Sequence, residues 1–225
     1  MYDVIGDIHG HASRLETLLR QLGYEQDTDG WRHPERQVIF VGDFIDRGPE
    51  QVDTYCLVRS MIELGAALAV MGSHEFNVVA FKTPPPEESG GRLRPHTDKN
   101  CDQHYGFLNQ VGEDSALHDE MIAWFRTLAL YLDLQGLRVV HACWHDESLQ
   151  TLRPLLDHRQ CLVDEASVNA ACKGNDAYNA ADTLLKSLGI PLYDGKSFLD
   201  KEQNERHHIR TLGGSGARAH IDQLP

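Results

Sequence analysis

Tyr2-Asp3-Val4-Ile5-Gly6-Asp7-Ile8-His9-Gly10 opens the chain with a short strand-like run that passes directly into a glycine-bounded Asp-x-His turn. The arrangement returns twice. Gln37 to Val41 leads into Gly42-Asp43-Phe44-Ile45-Asp46-Arg47-Gly48, and Ala67 to Met71 leads into Gly72-Ser73-His74-Glu75. Each run is too short for a helix and rich in side chains that favour strands. Between the first two runs, Leu15, Leu18, Leu19 and Leu22 trace a helical stripe, which Ser13-Arg14-Leu15-Glu16 opens in capping-box form and Gly23 closes. Between the second and third, Pro49 suits a first helical turn, Val52, Tyr55, Val58 and Ile62 are the apolar positions, and Gly65 is the stop. The order is β-α-β-α-β. Such alternation pairs strands in parallel through right-handed crossovers, and ligands of open α/β sheets gather at the carboxyl ends of the strands. All three polar clusters fall at those ends.

Their residue types point to cations. Asp7 and His9 lie two apart, so in an extended segment both side chains point the same way and can meet one ion. Asp43 comes from the neighbouring strand, and its two carboxylate oxygens can bridge two cations held roughly 3.5 to 4 Å apart. Mixed carboxylate and imidazole ligation suits manganese, iron or zinc better than calcium, and manganese is the expected ion.

The 225 residues, 41% hydrophobic and 24% charged, describe a folded globular chain and exclude collagenous or wholly disordered classes. A net charge of −13 repels phosphate backbones and argues against non-specific nucleic-acid binding. A small phosphorylated substrate remains compatible, because a bound cation reverses the field inside one cleft. No window approaches the roughly 20 apolar residues of a membrane span, and no basic segment precedes the first strand, so a cytoplasmic protein away from membranes is expected. Five scattered cysteines (Cys56, Cys101, Cys143, Cys161 and Cys172) form no C-x-x-C pair and are read as packing residues.

Pro84-Pro85-Pro86 and Gly90-Gly91 mark residues 83–100 as a long surface loop. Met121 to Leu130 reads as a helix, Leu130 to Leu134 and Leu137 to His141 as a hairpin about Gln135-Gly136, and Ser148 to Leu156 and Asp176 to Leu188 as further helices. Gly213-Gly214-Ser215-Gly216 breaks any regular element. His11, His33, His96, His104, His118, His145 and His158 fall in no motif and are read as surface or hydrogen-bonded histidines, and Trp31, Trp124 and Trp144 as packing residues.

GDIHG, GDFIDRGP and GSHE resemble the GD-x-HG, GD-x-x-DRG and GNH-[DE] series of the calcineurin-like metallophosphoesterases. The branch they resemble is the phosphoprotein-phosphatase-like one, which holds bacterial serine/threonine phosphatases and symmetrical dinucleoside tetraphosphatases. The match covers residues 1 to about 80, with a weaker one at Val139-Val140-His141-Ala142. The resemblance implies an α/β fold of four layers, αββα, with a central β-sandwich flanked by helices. It also implies one domain over residues 1–225, with an insertion loop at about 83–100 and an incomplete C-terminal part.

Carried over by position, the resemblance implies two divalent ions, with Asp7 and His9 on the first, Asp43 between them, and Ser73 and His141 on the second. His74 becomes the general acid, Asp46 its orienting partner, and Arg47 the clamp on the substrate phosphate. The implied activity is hydrolysis of phosphate monoesters, on a phosphoprotein or a small molecule, by attack of a metal-bridging hydroxide. Symmetrical hydrolysis of a dinucleoside polyphosphate is the alternative. A third reading, an impaired metal-binding or phosphate-sensing protein, comes from two departures. Ser73 stands where the family has Asn, and no Gly-His pair follows His141, which leaves His207, His208 and His220 as candidates for the last ligand.

Overall fold

The computed structural model describes residues 1–85, 91–199 and 205–210. Its first half runs β1 (Tyr2–Ile5), α1 (Ala12–Gln21), β2 (Glu25–Gln26), β3 (Trp31–Arg32), β4 (Gln37–Phe40), α2 (Gln51–Glu63), β5 (Ala67–Ala69) and α3 (Ser73–Lys82). Then follow α4 (Asp98–Val111), α5 (Ala116–Phe125), β6 (Tyr131–Leu134), β7 (Leu137–Val140), α6 (Asp146–Leu152), α7 (Asp164–Ala171) and α8 (Asp176–Lys186). Four short strands close the series: β8 (Gly189–Pro191), β9 (Phe198–Leu199), β10 (Glu205–Arg206) and β11 (His208–Arg210).

β1, β4 and β5 form one parallel sheet in that order, with Val4 opposite Ile39 and Ile39 opposite Leu68. Alternation along β4 divides the interior in two. Val38 and Phe40 point into the main core, where Leu15 and Leu19 of α1, Val58 and Met61 of α2, and Met121 and Phe125 of α5 meet them. Ile39 points the other way. It joins Val70 and Val139 in a second cluster, flanked by Leu68, Leu132, Leu134 and Leu137, so the antiparallel β6–β7 hairpin covers the far side of the sheet. Each such buried side chain is worth about 1.5 to 3 kcal/mol, which ties hairpin and sheet into two facing β-layers. The α/β class is the one expected, and β1-α1-β4-α2-β5 is the expected opening, with an unexpected β2–β3 hairpin of two-residue strands inserted between α1 and β4. Among the described residues the layer opposite the parallel sheet is the β6–β7 hairpin.

The capping box expected at Ser13 does not form. α1 begins at Ala12, so Ser13 falls inside the first turn, and its backbone N–H and hydroxyl donate across to Glu50 just ahead of α2. α4 begins at Asp98, with the Thr97 hydroxyl accepting from the Asn100 N–H, so the helix takes the end of the stretch read as loop. Trp31 is buried, Trp124 packs on Phe44, Tyr55 and Phe125, and Trp144 on Tyr131. Residues 86–90, Gly213-Gly214-Ser215-Gly216 and His220 lie outside the described residues. No helix among the described residues is long and apolar enough to cross a membrane.

Candidate metal centre

Three loops, following β1, β4 and β5, are stitched together at Asp43. The backbone N–H groups of Ile8 and His9 donate to the Asp43 carbonyl at 3.0 and 2.9 Å, and the His74 N–H donates to Asp43 Oδ1 at 2.9 Å. Glu75, fully buried in the first turn of α3, holds the same loop from below. Its Oε2 accepts from the N–H groups of Asp43 (2.8 Å) and Gly72 (3.0 Å), and its Oε1 from that of Phe44 (2.8 Å). The loops touch so closely that glycine is required where they meet. A Cβ on Gly42 would fall onto the backbone of Gly72, and one on Gly72 onto the backbone nitrogen and carboxylate of Asp43.

His9, Asp43, Asp46 and Arg47 all adopt left-handed backbone conformations, with φ of 48°, 52°, 69° and 66°. Strain of this kind, of order 1 kcal/mol or more per residue, persists only where surrounding contacts over-determine it. Here it aims side chains. His9 Nδ1 donates to the Ile45 carbonyl at 2.8 Å, and His141 Nδ1 donates to the Val41 carbonyl at 2.6 Å. With Nδ1 donating to a carbonyl, each ring turns its Nε2 toward Asp43, the orientation that second-sphere carbonyls impose on metal-binding imidazoles. His9 Nε2 lies 3.9 Å from both Asp7 Oδ2 and Asp43 Oδ2, and His141 Nε2 lies 3.5 Å from Asp43 Oδ2. His74 Nε2 is a further 3.9 Å neighbour of Asp43 Oδ2, while its Nδ1 donates to Asp46 Oδ2 at 2.5 Å.

Two groups of three therefore share one carboxylate. Asp7, Asp43 and His141 bring ligand atoms within 4.8 Å of one another, and so do His9, Asp43 and His74. The second group contains His74, which the resemblance implied as the acid, and the first pairs Asp7 with His141 across the two ions that it implied.

A profile of calcineurin-like phosphoesterases matches residues 2–193. The chain belongs to that family. Its members work with two divalent metal ions. Among relatives, the asymmetrical bis(5'-nucleosyl)-tetraphosphatase PrpE of Oceanobacillus iheyensis is 29% identical over 141 residues, covering 62% of this chain and 54% of that protein. The symmetrical bis(5'-nucleosyl)-tetraphosphatase of Aromatoleum aromaticum is 33% identical over 138 residues, covering 61% of this chain and 42% of that one. A solved structure, the cold-active protein-tyrosine phosphatase of a psychrophilic Shewanella species, aligns with 81% of this chain and 52% of its own at 18% identity and a TM-score of 0.47. The chain spans about half the length, or less, of the two tetraphosphatases.

The donor set fits the family's metal. His9 Nε2 is buried and has no hydrogen-bond partner among the described residues, and 3.9 Å is too long for a hydrogen bond to either carboxylate. An imidazole nitrogen and carboxylate oxygens that face one another across a gap too wide for a hydrogen bond are the donor types that would hold a divalent cation between them. In the chain alone, protons answer part of this need. Burial pulls the His141 imidazole down, but the hydrogen bond and charge of Asp43 outweigh it and push it up to about 9. Burial raises the Asp43 carboxyl, and His141 and His74 reverse that and hold it well below the usual carboxylate range. Glu75 is pushed up to about 7 by burial and by the charge of Asp43. Burial lowers His9, with the nearby charges of His74 and Arg47 adding to the effect.

Ser73 Oγ lies 3.5 Å from both Asp43 oxygens. Arg47 is exposed at the rim, close enough for its charge to act on His9. His207 and His208 are exposed near the β8–β11 pair and belong to neither ligand group found among the described residues. The sequence reading missed Glu75 as the clamp of the Asp43 loop, Gln51, whose Oε1 accepts from the Asp46 N–H at 2.8 Å, and His104, whose Nδ1 lies 2.9 Å from Asp46 Oδ2. A signal existed for the last. His104, Phe107 and Val111 share one helical face, so the histidine sits in an apolar stripe.

Proposed function

We propose that this chain is a metal-dependent phosphoester hydrolase acting on phosphate monoesters, of a phosphoprotein or a small molecule, in the cytoplasm with manganese as its ion. The observation that carries the reading is the buried, unpartnered Nε2 of His9, facing two carboxylates that it cannot reach by hydrogen bonding. Asp7, His9, Asp43 and His141 would hold the ions, with the Ser73 hydroxyl beside them. When bound, the ions supply Lewis-acid charge against the phosphoryl oxygens. The chain's own residues do the rest. Arg47 offers parallel N–H donors to the nonbridging oxygens from the rim, where an exposed guanidinium can meet an incoming phosphate. His74 delivers a proton from Nε2 to the departing oxygen, while Asp46 accepts from Nδ1 and fixes the ring. Burial disfavours the His74 proton, but the Asp46 hydrogen bond and the charges of Asp43 and Glu75 prevail and raise its affinity for that proton.

Dinucleoside tetraphosphates are the second reading, favoured by relatives named for both asymmetrical and symmetrical cleavage. Ser73 favours the third, a metal-binding protein with impaired turnover, since a hydroxyl is a poorer donor than the amide oxygen of Asn. Metal-stripped protein reloaded with manganese, iron or zinc, then given p-nitrophenyl phosphate, a phosphopeptide and diadenosine tetraphosphate, separates the three. Monoester turnover that is fastest with manganese is the expected result. Cleavage of the tetraphosphate alone selects the second reading, and metal uptake without turnover selects the third.

A further inference from the structure

His104 projects from α4 into the interior, its ring wholly buried and set edge-on to Phe81 at 5.3 Å. Its Nδ1 is 2.9 Å from Asp46 Oδ2, the oxygen that His74 Nδ1 approaches at 2.5 Å. Asp46 is equally buried, and its Oδ1 has no hydrogen-bond partner among the described residues. An ionised carboxylate only accepts, so both imidazoles donate from Nδ1 to the one oxygen. Gln51 holds the Asp46 backbone, and among the described residues the two histidines alone hydrogen-bond its side chain.

Packing does not explain an imidazole here. Leucine or phenylalanine would fill the space without stranding a ring nitrogen, whereas His104 Nε2 is buried and unpartnered among the described residues. What an apolar residue cannot supply is the second N–H at Asp46 Oδ2. Anchored by His74 alone, the carboxylate could swing about its own side-chain torsions and carry the His74 ring with it. Small misplacements of a proton donor are costly in rate. We propose that His104 is a positioning residue for the general acid: it pins Asp46 so that His74 keeps Nε2 turned to the leaving oxygen.

The inference rests on the phosphoesterase reading, so its test has an arm that needs no turnover. In the manganese-loaded protein, kcat is compared between wild type, His104→Phe and His104→Asn on aryl phosphates graded from 2,4-dinitrophenyl to phenyl. A good leaving group needs no acid, whereas phenolate does. His104→Phe is expected to lose about 10-fold or more on phenyl phosphate and under about twofold on the dinitrophenyl ester, with KM unchanged. His104→Asn keeps an N–H donor and is expected to recover most of the phenyl phosphate rate. A leaving-group dependence equal to that of wild type overturns the inference, however much rate is lost. In the second arm, the imidazole N–H proton of His74, assigned by its loss in His74→Asn, is followed by NMR. It is expected to shift in His104→Phe and to stay close to its wild-type position in His104→Asn, and an unmoved resonance in His104→Phe overturns the inference. If wild type hydrolyses none of the esters, the phosphoesterase reading fails and the resonance alone decides the role of His104. Should His104→Phe not fold, His104→Leu takes its place in both arms.

Discussion

Asp43 is the residue on which the site turns, because its carboxylate faces three imidazoles and a serine hydroxyl while its backbone receives two N–H groups from the first loop. Asp43→Asn halves the charge available to two ions and is expected to lower metal occupancy below two per chain and kcat by about 100-fold or more, checked by elemental analysis alongside aryl phosphate turnover. Ser73→Asn acts in the opposite direction. Supplying the amide oxygen of the family pattern is expected to tighten metal binding by about 10-fold and to raise kcat, measured by manganese titration. No gain would show that Ser73 is no lesion. The nearness of Asp7, His9, Asp43, His74 and His141 to one another was legible in the sequence. The reason given for Asp7 and His9 was nevertheless different from the one observed. They meet because His9 takes a left-handed turn at φ 48°, which brings its buried ring beside an exposed Asp7, and not because an extended strand points both the same way. His104 was hidden because its partner, Asp46, lies 58 positions away, a pairing that helix spacing alone does not reveal.

Among the elements, α3 does the most structural work for the site. Glu75 in its first turn takes up backbone N–H groups that would otherwise be buried without acceptors, and so fixes the loop carrying Asp43. Glu75→Gln puts an amide NH2 against one of those donors and is expected to cost about 3 kcal/mol in urea unfolding, with weaker metal binding. A loss below about 0.5 kcal/mol, the range of an ordinary surface substitution, would contradict this role. The first three strands of the parallel sheet and the two helices between them could be read because each is a short apolar run or a helical stripe of apolar residues punctuated by glycine. α3, α4 and α7 were not read as helices. α4 is largely polar and carries Gly106 in its interior, which weakens a helix, and α7 is a short alanine-rich segment without a clear stripe. Both form because neighbours bury them: Phe107 and Val111 of α4, and Ala166 and Ala170 of α7, enter the main core.

On the scale of the whole molecule, stability carries a pH dependence that can be traced to His118 of α5. Its Nδ1 accepts from the Asp114 N–H at 3.1 Å, so the ring is neutral in the fold. Burial, with the Lys82 charge adding to it, holds its pKa below the ordinary 6.5. The unfolded chain takes up this proton near 6.5 and the fold does not, so the stability due to His118 is complete above that pH and is lost as pH falls below it. The difference in unfolding free energy between wild type and His118→Gln, which cannot titrate, is therefore expected to shift against wild type from pH 7.5 to 5. A pH-independent difference would contradict the assignment.

The central claim is that side chains from four separate stretches of the chain close around cations at a single carboxylate. Anomalous scattering from crystals grown with manganese tests it directly. Two peaks flanking Asp43, within bonding distance of ligand atoms from Asp7, His9 and His141, are the predicted result. Manganese bound elsewhere, or no peak beside Asp43 at saturating metal, would contradict it.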